Sequence, residues 1–242
     1  MGVRAKLNIP LKNFLAALDS AMRIYAPLRE CCLFNYDNIR ETDFHPTVAS
    51  KMIGLAFLSV VAAWEEYIEE AFLRYMAGTQ TDTGYAPVLR LSPCCSLVHA
   101  RQVLSATFDS QERPRFLPWN DYTWVVSAAR VYFRDGEPYS KVANRFRDRL
   151  ADAQIIRNRV AHTSQKARMQ FRKMSNRLAG DHPMSPMNRG FSPGRMLVSQ
   201  CPEYGFDEAW LASKEHFWGD FFEAYGSMYL DLAATITPYH AA

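Results

Sequence analysis

One long stripe of apolar residues at helical spacing constrains this chain more than any other feature. Between Ile53 and Tyr75 apolar side chains recur every three or four residues, with Trp64 and Phe72 among them. That period places the stripe on one face of a helix, and Gly78 is a typical helix end. Because such a helix must bury its stripe against other elements, the sequence predicts that it packs among further helices.

Weaker patterns of the same period occur along most of the chain. They predict helices over 11–27, 99–108, 122–133 and 139–178, the first ending near Pro27. No run of residues alternates in the way that half-buried strands require. The sequence therefore predicts an all-α protein, an antiparallel helical bundle.

We expect residues 1–242 to form a single domain with its bundle core at about 10–180. Residues 180–195 contain three prolines and three glycines, which favours a loop over 181–206. Apolar residues return at helical spacing after it and predict an additional C-terminal helix over 207–237.

Composition excludes several classes of protein. Because 48% of the residues are hydrophobic, the chain has enough apolar material for a core and is not wholly disordered. No uncharged apolar segment reaches the length of a membrane span, and the start of the chain lacks the apolar core of a signal peptide. The five cysteines include two adjacent pairs and form no C-x-x-C. These features predict a cytoplasmic protein with reduced thiols, no membrane contact and no cofactor.

The net charge of +3 is unevenly distributed. Residues 145–195 carry a net charge of +9, whereas residues 196–242 carry −6. A block this basic attracts phosphates. The alternative is a solvated helix face whose charges pair with the acidic C-terminal segment.

Residues 154–163, Gln-Ile-Ile-Arg-Asn-Arg-Val-Ala-His-Thr, hold the most specific motif. Asn158 and His162 are four residues apart, so on a helix they share a face, and the amide is predicted to hydrogen-bond one ring nitrogen. Arg157 lies about 140° round the helix and ~7.5 Å along it from His162. A proton-transferring histidine and a charge-neutralising arginine suit a phosphodiester substrate.

This R-N-x-x-x-H pattern resembles the R-x(4–6)-H motif of HEPN domains, an all-helical nucleotide-binding superfamily. The four residues between Arg157 and His162 fall within the family's spacing, and the polar Asn158 matches the residue that typically follows the arginine. Thr163 stands where a related group often has glycine. The W-E-E-Y-I-E-E run at 64–70 is similar to the second helix of the RiboL-PSP group within that superfamily.

The resemblance implies a metal-independent endoribonuclease whose active site forms at a homodimer interface. Arg157, Asn158 and His162 would be its catalytic residues, giving 2′,3′-cyclic phosphate and 5′-OH ends. Such proteins act as toxins or anti-phage effectors, so an antitoxin or a nucleotidyltransferase-type partner is expected. The RNA-binding residues predicted from the basic block are Arg159, Lys166, Arg168, Arg172 and Lys173.

Two other functions remain open from the sequence. The first is a non-catalytic HEPN-like module that binds RNA or nucleotide or serves as a scaffold. The second is a metal-dependent nuclease using the glutamates of 65–70, whose i,i+4 pairs place carboxylates on common faces. Glu65 and Glu66 are alternatively supporting residues of the histidine site, and the simplest interpretation is a solvated helix face. Because no H-E-x-x-H or H-x-x-E-H accompanies these glutamates, no metal ligand is assigned.

Overall fold

The computed structural model describes residues 6–33, 44–106, 117–179, 191–199, 206–213 and 219–239. Over these ranges it contains nine α-helices and no strand, which confirms the prediction of an all-α protein. The helices are α1 (Asn8–Leu33), α2 (Pro46–Met76), α3 (Leu97–Ser105), α4 (Tyr122–Tyr132), α5 (Tyr139–Ala161), α6 (Gln165–Ala179), α7 (Pro193–Leu197), α8 (Glu208–Ala212) and α9 (Phe221–Ile236).

Helix α2 is the predicted long helix. Every member of the stripe between Ile53 and Tyr75 is buried. Pro46 begins the helix at the position where its missing N–H costs nothing, and Gly78 follows the end with φ at 75°. The C-terminal end therefore lies where the sequence predicts it.

Helix α2 also has the length and apolarity of a membrane span. It holds an 18-residue window of mean hydropathy 1.6, and half of that window is buried within the protein. The core helix of a soluble protein meets the same test of length and composition. That the protein makes no membrane contact and lies in the cytoplasm stays a prediction.

The chain divides into two compact units. Unit 1 comprises Met1–Leu15, Ala63–Arg147 and Leu230–Ala242, and unit 2 comprises Ala16–Ala62 and Asp148–Tyr229. In unit 1 the ring of Phe72 contacts the rings of Trp119, Phe133 and Tyr139. The Tyr75 hydroxyl donates to the Ile236 carbonyl at 2.6 Å, which satisfies a buried polar group.

In unit 2 aromatic rings and one carboxylate form the core. Tyr25 stacks on Phe222 with ring centroids 4.3 Å apart, and Phe57 meets Phe222 edge-on. Asp220 accepts from the Tyr25 hydroxyl and from Arg29 Nε, the latter at 2.8 Å. We call Asp220, Tyr25 and Arg29 the Asp220 centre.

Helix α1 does not end near Pro27, as its sequence predicts, but continues to Leu33. Proline removes one backbone donor and crowds the preceding turn, a cost of about 3 kcal/mol in an exposed helix. Here Leu28 and Cys32 are buried beyond the proline, and Arg29 is bound to Asp220. Tertiary packing therefore carries the helix past its local stop signal.

The helix predicted over 139–178 is two helices. Helix α5 is kinked at Phe146 and ends at Ala161, and α6 begins at Gln165. The Ser164 hydroxyl accepts from the Ala167 backbone N–H at 3.3 Å, which is N-cap geometry. A capping residue inside an apparently continuous pattern thus separates the two helices.

Two other predicted segments also differ. The described part of the predicted loop 181–206 contains α7, which Ser192 caps. The predicted C-terminal helix over 207–237 is α8 and α9, capped by Asp207 and Asp220 respectively. In both cases a short capping side chain sets the helix start. Residues 181–190, 200–205 and 214–218 of these segments lie outside the described residues.

Candidate functional site

His162 lies immediately beyond the C-terminal end of α5 and is exposed. Its backbone N–H donates to the Asn158 carbonyl at 2.9 Å, which continues the helical bonding by one residue. Among the residues that the structure describes, its ring has no hydrogen-bond partner. The histidine is therefore fixed through its backbone, while its imidazole stays accessible to a ligand.

The predicted side-chain bond between Asn158 and His162 is absent from the described structure. Instead the Asn158 Oδ1 accepts from Arg157 Nη1 at 3.2 Å and from Gln154 Nε2 at 3.3 Å. The prediction assumed that His162 stays within the helix, whereas α5 ends one residue before it. Asn158 thus positions Arg157 through its side chain and His162 through its carbonyl.

The predicted RNA-binding cations occupy one amphipathic helix and the turn before it. On α6 the residues Ala167, Phe171, Met174 and Leu178 are buried. The predicted cations of this helix are all exposed: Lys166, Arg168, Arg172 and Lys173. Arg159 is half-buried near the end of α5, and its Nη1 donates to the His162 carbonyl at 3.4 Å. All five lie in unit 2 with the histidine motif.

Part of the basic block is paired inside the fold. Asp152 is buried between Arg149, 3.2 Å away, and Arg177, which also bonds it. Burial raises the pKa of Asp152 above its ordinary value, and the two guanidinium groups lower it by less. Asp220, from the acidic segment 196–242, pairs with Arg29. Arg29 lies outside the basic block of residues 145–195.

A cleft of about 410 Å³ lies in unit 2 beside the motif. Its lining comes from the start of α2, the end of α5 and the segment that enters α7. The lining residues are Pro46, Thr47, Ser50, Lys51, Gly54, Leu55, Arg159, Val160, Ser192, Pro193, Gly194 and Arg195. Sequence reasoning assigned only Arg159 to a site, because the other residues are distant in the chain.

Two glycines allow the walls of this cleft to approach each other. A Cβ on Gly194 would lie 1.8 Å from the Ser50 carbonyl oxygen, which no real side chain allows. A Cβ on Gly54 would lie 3.3 Å from Val160 Cγ2. The Ser50 and Ser192 hydroxyls are also hydrogen-bonded to each other. The α7 segment is therefore held directly against α2.

The glutamates of 65–70 belong to unit 1, whereas the histidine motif belongs to unit 2. Glu69 pairs with Arg101 at 2.6 Å, and Glu70 pairs with Arg74. Glu65 is half-buried and Glu66 is exposed, and their supporting role stays a prediction. No group of three His, Cys, Asp or Glu side chains within the described ranges is placed to hold a metal ion.

Sequence reasoning also missed a cysteine–histidine pair. Cys95 is exposed, and its Sγ lies 3.2 Å from His99 Nδ1 at the start of α3. The pair belongs to unit 1, and because Cys95 precedes the N-cap of α3, no helical spacing relates it to His99 in the sequence. The four described cysteines, Cys31, Cys32, Cys94 and Cys95, are all free thiols, as predicted.

Comparisons of the chain with protein-family models, curated proteins and solved structures find no match.

Proposed function

We propose that this protein is a metal-independent endoribonuclease of the HEPN type. The observation that carries the proposal is an accessible His162 on a fixed backbone, with Arg157 held by Asn158 one turn earlier. The exposed cations of α6 begin four residues after the histidine, where an RNA backbone would need counter-charge. The all-α fold is consistent with a bundle of this family.

The proposed chemistry is attack within the RNA strand. His162 accepts the proton of a ribose 2′-OH, and the 2′-oxygen forms a bond to the adjacent phosphorus. The bond between phosphorus and the 5′-oxygen breaks, and that oxygen takes a proton from a general acid. Arg157 stabilises the additional negative charge on the phosphoryl oxygens in the transition state. The products are a 2′,3′-cyclic phosphate and a 5′-OH end.

We propose that this general acid is His162 of a second copy of the chain. One chain supplies one such motif, and a reaction with two proton transfers needs both a base and an acid. A symmetric dimer would bring two copies of the motif to one interface, each completing the other. In the cell such an enzyme would act as a toxin or anti-phage effector, with an antitoxin or nucleotidyltransferase-type protein as its partner.

The test is RNA cleavage by purified wild type and His162→Ala in the presence of EDTA. We expect the substitution to lower the rate by about 10²–10⁴-fold, the usual contribution of a general acid or base. Because His162 is exposed, thermal unfolding should be unchanged. Mass analysis should find cyclic phosphate ends on the wild-type products.

His99→Ala is the control, since His99 is a half-buried histidine that belongs to unit 1. It should cleave as wild type does. Equal cleavage by His162→Ala and wild type would contradict the mechanism. RNA binding without cleavage by wild type would instead favour the non-catalytic module, and loss of cleavage with EDTA would favour a metal-dependent nuclease.

A further inference from the structure

The cleft beside the motif is lined by cationic side chains, which favours an anionic ligand. Lys51, Arg159 and Arg195 line it, and none of the described residues in its lining carries a carboxylate. Within the described part of the chain none of these three cations forms an ion pair. Three cations gathered around one concavity repel one another, so an anion between them is favourable.

The remaining lining adds apolar surface. Leu55 is 48% exposed, and Val160 is half-buried. Pro46 and Pro193 complete this surface. The volume of about 410 Å³ falls within the range of small-molecule sites, roughly 300–1,000 Å³. A group larger than a bare phosphate therefore fits, with an anionic part at the cations and a less polar part against the wall.

We propose that this cleft binds one nucleotide of an RNA strand, next to the phosphodiester presented to His162. Lys51, Arg159 and Arg195 bind its phosphate, and Leu55 and Val160 contact its ribose and base. The substrate assignment rests on the proposed function, whereas the phosphate chemistry follows from the lining itself. Because no aromatic side chain among the described residues lines the cleft, the proposed binding relies on phosphate and apolar contacts and not on base stacking.

Arg159 connects the cleft to the histidine. Arg159 lines the cleft, and its Nη1 donates to the His162 carbonyl at 3.4 Å. A phosphate bound there would be fixed relative to the backbone that carries the imidazole. The cleft therefore positions the strand, and its loss should raise KM more than it lowers kcat.

The binding test uses fluorescein-labelled 2′-O-methyl tetrauridylate, which lacks the attacking hydroxyl and so reports affinity without cleavage. Lys51→Gln and Arg195→Gln should each raise Kd about tenfold, and each should lower the salt slope by about one. Both side chains are exposed, so the variants should fold. Lys12→Gln, an equal charge change on an exposed lysine of unit 1, should leave Kd unchanged.

A second variant tests the cavity without changing charge. Thr47 is exposed at the cleft edge, and Thr47→Trp should obstruct the cleft and raise Kd at least fivefold. Unchanged Kd in all three cleft variants would overturn the proposal. Uridine 5′-monophosphate that competes as tightly as the tetramer would also overturn it, since the site would then serve a free nucleotide.

Cleavage kinetics on unmodified RNA separate this proposal from the proposed function. Wild-type cleavage with normal KM and Kd in the cleft variants would overturn the cleft and leave the ribonuclease intact. Weakened tetramer binding in those variants, with no cleavage by wild type, would support the phosphate site and refute the enzyme.

Discussion

Two regions of unit 2 use cationic side chains in opposite ways. In the Asp220 centre, Arg29 Nε lies 2.8 Å from a carboxylate that is 1% exposed. In the cleft, Lys51 and Arg195 are exposed, and the described lining places no carboxylate beside them. The first arrangement satisfies its charges within the fold, whereas the second leaves its charges to a ligand.

The difference shows why a count of basic residues is a poor guide to binding. Arg149 and Arg177 belong to the +9 block, yet both are paired with the buried Asp152. A buried carboxylate requires a partner, and these two arginines supply it within the fold. Substitutions should therefore separate cations that stabilise the fold from cations that bind.

The largest expected effect is the loss of Asp220. Asp220→Ala leaves Arg29 and the Tyr25 hydroxyl without their carboxylate and removes a cap from α9. We expect the free energy of unfolding to fall by about 3–5 kcal/mol. Urea unfolding followed by circular dichroism measures it.

Arg195→Ala is the comparison for Asp220→Ala. It removes an exposed cation that has no ion pair among the described residues, so the free energy of unfolding should change by less than about 0.5 kcal/mol. Tetramer binding should nevertheless weaken. Equal destabilisation by the two variants would remove the distinction between the two regions.

The second prediction concerns the close approach of α7 to α2 in the wall of the cleft. Gly194→Ala would place a Cβ 1.8 Å from the Ser50 carbonyl oxygen, so the α7 segment must move away from α2. We expect a loss of about 1–3 kcal/mol in unfolding free energy, typical of overpacking, together with weaker tetramer binding. Thermal unfolding and fluorescence anisotropy measure the two effects.

Gly226→Ala is the matched control for this change. Gly226 lies inside α9, and its added Cβ would meet Leu18 and Met22 at 3.8 Å, an ordinary contact. Since alanine favours a helix interior over glycine, stability should rise by about 0.5–1 kcal/mol. A loss of stability in Gly226→Ala as large as that in Gly194→Ala would contradict the role assigned to the close approach.

The sequence predicts the helical class and the C-terminal end of α2 because these depend on local periodicity and on Gly78, which follows the helix. It does not predict that α1 continues past Pro27, because that depends on burial of Leu28 and Cys32 by distant segments. For the site, the motif identifies residues but not their bonds. The actual partners of Asn158 depend on where α5 ends.

The cleft is invisible in the sequence for the same reason. Lys51, Arg159 and Arg195 are far apart in the chain, and no spacing rule relates them. The close approaches at Gly54 and Gly194 bring their helices together. Local signals thus predict elements, whereas the site depends on long-range packing.

The third prediction tests whether burial or the two neighbouring arginines has the larger effect on the pKa of Asp152. Its pKa is raised by burial in the folded protein, above the unfolded value of about 3.9. Its contribution to stability is therefore fully present below about pH 3.9 and falls as the pH rises through the folded pKa. The stability lost in Asp152→Asn, about 1 kcal/mol in acid, should shrink towards neutral pH.

Urea unfolding of wild type and of Asp152→Asn between pH 3.5 and pH 7 measures the difference in their unfolding free energies. Asp19→Asn is the control, because its ion pair with Arg23 is exposed and should contribute less than about 0.5 kcal/mol. If the cost of Asp152→Asn grows as the pH rises, attraction to Arg149 and Arg177 exceeds the effect of burial.

The smallest effect concerns thiol reactivity and leaves the fold unchanged. Cys95 is exposed beside His99, whereas burial raises the pKa of Cys32 and of the half-buried Cys94. Because the thiolate is the reactive form, iodoacetamide at pH 7.5 should alkylate Cys95 at least tenfold faster than Cys94 and about a hundredfold faster than Cys32. Peptide mass spectrometry over time resolves the three rates. Faster alkylation of Cys32 than of Cys95 would contradict the protection that burial gives to the Cys32 thiol.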